Sequence, residues 1–83
     1  MLTLNEVVAD LLAEGWRHVE VANETTYGSP EDNFRFWYVR AESGPEWKVV
    51  YAVDGKTTQE SGDVQADQAW PPTVQEILDR VLA

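Results

Sequence analysis

Cysteine is absent from the 83 residues, and histidine and methionine occur once each. No disulfide framework, thiolate-ligated zinc site or thiol nucleophile can therefore be built from this chain. A lone His18 cannot assemble a zinc site without further His or Cys ligands. Basic residues are also scarce. Six Lys and Arg stand against fifteen Asp and Glu, for a net charge of −9. Nucleic acid and anionic membrane surfaces are held through Lys and Arg on phosphates, so neither is expected as a direct partner. Long apolar runs are missing too: nowhere do about 18 apolar residues follow one another, the length a membrane-crossing helix needs. The N-terminus lacks a basic segment followed by an apolar stretch, so the expected address is cytoplasmic, with no signal peptide.

Several reaction classes lose their usual sequence marks as well. The five glycines stand apart, so no glycine-rich loop cradles a phosphate. No serine lies in a G-x-S-x-G elbow, and no D-x-[DN]-x-[DN]-G calcium loop appears. His18 and Glu20, two apart on one strand, form at most a weak acid–base pair, because a general base needs a positioned partner. No catalytic residue, metal or cofactor is expected.

What the chain does hold is aromatic: four Trp, three Tyr and two Phe, within a hydrophobic content of 43%. A single acidic domain over residues 1–83 buries only about 60% of its unfolded surface, so large side chains must supply its core. Residues 3–13, TLNEVVADLLA, return as TVQEILDRVLA at 73–83. Each begins with a Thr followed three residues later by a Glu, which predicts a capping box. Each then places five apolar residues on one helical face: Leu4, Val7, Val8, Leu11 and Leu12, and Val74, Ile77, Leu78, Val81 and Leu82. Gly15 suits the left-handed residue of a Schellman motif, with Trp16 folding back onto Leu11.

Between these helices the period changes to two. WRHVEVANET (16–25), FRFWYVRAE (34–42) and EWKVVYAVD (46–54) read as strands. Asp54-Gly55 signals a two-residue hairpin leading to a polar edge strand at 56–61. GDVQADQAWPP is a connecting loop that Pro71 and Pro72 keep out of sheet and helix. The expectation is a two-layer α+β domain: N-terminal helix, antiparallel meander of three to four strands, C-terminal helix, with both helices on one sheet face. Helix, three strands, helix resembles the element order of double-stranded-RNA-binding domains, which grip phosphates with a basic second helix. Here that helix carries Glu76, Asp79 and only Arg80, so the topology comes without the binding chemistry.

The turn at Ser43-Gly44-Pro45 allows two registers. A three-residue loop joins Trp37, Val39 and Ala41 to Trp47, Val49, Tyr51 and Val53; a four-residue loop joins Phe34, Phe36 and Tyr38 to them instead. In either register the second face keeps aromatics, Val50 and a cation. If both helices cover one face, Phe34, Phe36, Trp37, Tyr38, Arg40, Lys48 and Val50 supply a partner-binding surface on the other, the composition of interface hot spots. The competing reading closes this face with loop 23–33 or loop 62–72, through Tyr27 or Trp70.

Function is expected to be non-enzymatic: a small acidic protein-interaction module. Its sharper form is an inhibitor that mimics nucleic acid and blocks a basic site, in the manner of phage anti-CRISPR or anti-restriction proteins. Its candidate acidic surface is Glu20, Glu24, Glu31, Asp32, Glu60, Asp63 and Asp67. The alternative is a self-associating accessory subunit, a homodimer formed through the aromatic sheet face.

Overall fold

The computed structural model describes residues 2–83, along which run α1 (Leu4–Ala13), β1 (Arg17–Gly28), β2 (Asn33–Ser43), β3 (Glu46–Val53), β4 (Lys56–Asp63) and α2 (Val74–Leu82). The α+β class and the helix–strands–helix order are as expected, with four strands. Both helices start alike. Thr3 Oγ1 accepts the Glu6 amide at 3.2 Å, and Thr73 Oγ1 accepts the Glu76 amide at 3.2 Å. The reciprocal leg differs from a standard capping box: each Glu carboxylate takes its threonine's hydroxyl, at 3.0 and 3.2 Å, rather than the backbone amide. Helix α1 ends in a Schellman motif. Gly15 lies at φ +94°, its amide donates to Leu12 O at 3.1 Å, and Trp16 donates to Leu11 O at 3.1 Å.

The strands form one antiparallel sheet in the order β1-β2-β3-β4. Gly44-Pro45 alone connects β2 to β3, with Ser43 paired to Glu46. Gly44 at φ +59° followed by proline is a type II′ arrangement, whose twist matches that of the strands. A two-residue turn shares the parity of a four-residue loop, so the second of the two expected face assignments holds. Trp37, Val39 and Ala41 share a face with Lys48, Val50 and Ala52; Phe36, Tyr38 and Arg40 share the opposite face with Trp47, Val49, Tyr51 and Val53.

Each face is covered by its own helix. On the first, Val7 and Leu11 of α1 pack with Trp37, Val39, Ala41, Val50 and Ala52, flanked by Leu4, Val8, Trp16 and Val19. On the second, Ile77 and Leu78 of α2 pack with Phe36, Tyr38, Trp47 and Val49, flanked by Val64, Ala69, Val74 and Val81. The expected two-layer arrangement with both helices on one face is thus corrected to three layers, a sheet between two helices. The reason is that β2 and β3 are apolar on both sides. Leaving either face in water would forgo about 1.5–3 kcal/mol for each large side chain, whereas four apolar residues of one helix suffice for each face, the fifth of each expected stripe, Leu12 and Leu82, remaining exposed.

The sheet edges are handled differently. Strand β1 carries irregularities between Arg17 and Glu20 and between Ala22 and Thr25, the first containing His18 at φ 51°. Bulges of this kind twist an edge away from chance pairing. They also break the alternation that would place His18 and Glu20 on one face. Strand β4, at the other edge, is regular and polar.

Candidate interaction site

The aromatic set expected to form an open face is core. Phe36, Trp37, Tyr38 and Val50 are 1%, 5%, 4% and 6% exposed, Phe34 is half-buried, and the five aromatic and valine side chains divide between the two packed faces. Their cationic companions are engaged as well. Arg40 Nη2 donates to Glu20 Oε2 at 2.7 Å, and Lys48 Nζ lies 3.6 Å from Glu14 Oε2. The correction follows from the second helix: it seals the face that a single-sided packing would have left open.

The seven acidic candidates do not form one patch. Glu20 and Glu24 lie on β1, Glu31 and Asp32 in the turn that follows, and Glu60 and Asp63 on β4 at the opposite edge, with Asp67 beyond it. Three of them have internal partners: Glu20 with Arg40, Glu24 with Arg35 at 4.0 Å, and Glu60 with Arg80 at 2.8 Å. Asp63 is spent on its own loop, its Oδ1 accepting the amides of Gln65 at 2.7 Å and Ala66 at 2.8 Å. Among the described residues, Glu31, Asp32 and Asp67 have no cation within an ion pair.

The segment between β4 and α2 organises a different surface. It crosses the α2 side of the sheet and is tied down by two core side chains. Trp47 Nε1 donates to Ala69 O at 2.8 Å, and the Tyr38 hydroxyl donates to Pro72 O at 2.6 Å. Burial raises the Tyr38 phenol above its ordinary pKa, against the opposing pull of Arg40. The indole of Trp47 lies against Gly62, directly opposite it on β4; a methyl there would stand 2.6 Å from the ring. The loop-62–72 reading of what covers this face is therefore correct as to the segment. Val64, Ala69 and Pro72 do the covering, while Trp70 turns outward and is 75% exposed.

Beside Trp70 opens a cleft of about 390 Å³, whose walls include Pro71, Val64, Trp47, Arg40, Glu42 and Glu46. Arg40 forms its inner wall. Its Nε is buried without a hydrogen-bond partner among the described residues, with Glu42 Oε1 3.9 Å away. Glu46 makes no ion pair among the described residues. Beyond Trp47 the surface dips again between Glu46, Asp63 and Asp67. Trp70, Glu42 and Glu46 were not singled out from the sequence as binding residues. The available signal was Trp70 ahead of two prolines, a bulky ring on a stiff segment.

Among the described residues, no group of three or more His, Cys, Asp or Glu is placed to hold a metal, and no helix is long and apolar enough to cross a membrane. No family model, curated protein or solved structure matches this chain.

Proposed function

We propose that this chain is a non-enzymatic, cytoplasmic interaction module whose acidic surface engages a basic protein. The observation that carries the reading is the surplus of surface carboxylates. Ion pairs with Arg35, Arg40, Lys48 and Arg80 occupy five of the fifteen, and the other ten have no cation partner among the described residues. Uncompensated charge of one sign speeds encounter with an oppositely charged surface and makes the association salt-sensitive.

The narrower form of the reading is an inhibitor that occupies a basic nucleic-acid site. Glu20, Glu24, Glu31 and Asp32 follow one another along the β1–β2 hairpin, which favours this edge over β4 as the side that stands in for a phosphate backbone. Immobilised protein incubated with lysate at low and at high salt tests both forms. Recovery of a nucleic-acid-binding protein at low salt, and its loss at high salt, is the expected result. Capture that persists undiminished at high salt sinks the electrostatic reading.

A further inference from the structure

Trp70 is the bulkiest apolar side chain presented to solvent. It is not a loose loop residue: Ala69 O before it and Pro72 O after it are both held by core side chains, and Pro71 fixes the backbone between. A rigid backbone that holds an indole outward, at the lip of a cleft, has little ordering entropy left to lose when a partner binds. The charge around the cleft selects the partner. Among the described residues, Glu46 has no cation and Glu42 has only the distant Arg40 Nε, while the head of Arg40 is committed to Glu20. Arg17, opposite Glu42 in the β1–β2 ladder, forms no ion pair among the described residues. Against Arg17 and Arg40 stand Glu20, Glu42, Glu46, Asp63 and Asp67 at this end of the sheet, so the field there is negative.

We infer that the Trp70 cleft is a docking site for a basic segment of a partner protein. An Arg or Lys side chain lies across the Trp70 ring, and Glu46 and Glu42 receive its charge. Cations are drawn to the face of an indole more strongly than to any other side-chain ring, and a guanidinium can also take a carboxylate in two parallel hydrogen bonds. A second copy of this chain is a poor occupant, because each copy brings a net charge of −9. The inference rests on the interaction-module reading and places it at one site.

A hexa-arginine peptide is the probe, titrated at low salt into the whole protein while the Trp70 indole N–H resonance is followed by NMR. The peptide is expected to shift that resonance. Trp70→Ala and Glu46→Gln should each weaken binding by at least about threefold, within the range for a cation over a ring. The variant Asp10→Asn, an exposed carboxylate on α1 that does not line the cleft, should change affinity by less than about twofold, as expected for a screened exposed charge. Thermal melts of each variant confirm that it is folded. Equal weakening in all variants overturns the docking site in favour of diffuse charge attraction, as does a Trp70→Ala variant that binds like the original. Either result leaves the wider acidic-surface reading standing, since that reading falls only if capture is indifferent to salt.

Discussion

Gly62 should be the least replaceable residue of β4, although it lies on an edge strand and carries no side chain. Its backbone is outside the left-handed region, so alanine meets no conformational strain there. What it meets is Trp47. A Cβ at residue 62 would stand 2.6, 2.8 and 3.0 Å from Cζ2, Cε2 and Nε1 of the indole, inside any real carbon contact. The ring cannot yield cheaply, because it is 5% exposed and its Nε1 is bonded to Ala69 O. Overpacking of this kind costs about 1–3 kcal/mol. If the ring swings clear instead, the buried indole leaves Ala69 O without its donor, at about 1–3 kcal/mol. Against either stands a gain of about 0.4–1 kcal/mol from the less flexible unfolded chain. At the middle of these ranges, about 2 against about 0.7 kcal/mol, Gly62→Ala should destabilise by about 1 kcal/mol, which lowers the melting temperature of a domain this size by about 4–8 °C. Circular dichroism melts of the original, Gly62→Ala, Trp47→Phe and the double variant provide the measurement. Phenylalanine lacks Nε1 and the outer-ring Cζ2, the atom the methyl would approach most closely, so the double variant should be more stable than the two single losses added together. Additive losses, or a Gly62→Ala melt within about 0.5 kcal/mol of the original, a change typical of an inert surface site, would refute the close-contact argument.

Tyr38→Phe leaves Pro72 O without its 2.6 Å donor and should cost about 1–3 kcal/mol in urea titrations at neutral pH. The same variant has a pH signature. The Tyr38 phenol is raised above its ordinary value near 10, so its contribution is complete below about pH 10 and disappears as pH climbs through the folded-state value. Alkaline destabilisation should consequently be shallower in Tyr38→Phe than in the original; identical slopes would contradict the burial argument. Thr3→Ala and Thr73→Ala remove caps of the same geometry and should each cost about 0.5–2 kcal/mol by thermal melt. A neutral result at either position would show that its hydroxyl does not cap in solution. Trp70→Ala should leave stability within about 0.5 kcal/mol, because the ring is 75% exposed; a large loss would mean that Trp70 is packing rather than presented.

Local order was legible because it depends on neighbours in the chain. Thr3 with Glu6, Thr73 with Glu76, Gly15 before Trp16 and Asp54-Gly55 each announce their own geometry, and all four adopt it apart from the carboxylate leg of the caps. The face assignment depended on a single parity, and Gly44 at the first position of a tight turn supplied it. The placement of the helices was not legible from the helices. Residues 3–13 and 73–83 share cap and apolar stripe, and an identical stripe fits either side of a sheet equally well. The deciding information lies in β2 and β3, where Phe36-Trp37-Tyr38-Val39 and Val49-Val50 put large apolar groups on both sides in succession. Such doubly apolar strands require two covers, so two matching helices with one doubly apolar hairpin between them argue for opposite faces. The exposed Trp70 follows from the same logic one step later. Once α2 covers the Phe36–Tyr38 face, the chain must cross that face to reach it. The indole N–H of Trp47 and the hydroxyl of Tyr38, buried there, need acceptors. They take Ala69 O and Pro72 O from the crossing segment. Anchored on both sides at its backbone, the residue between has no room to turn inward, and its side chain becomes the surface.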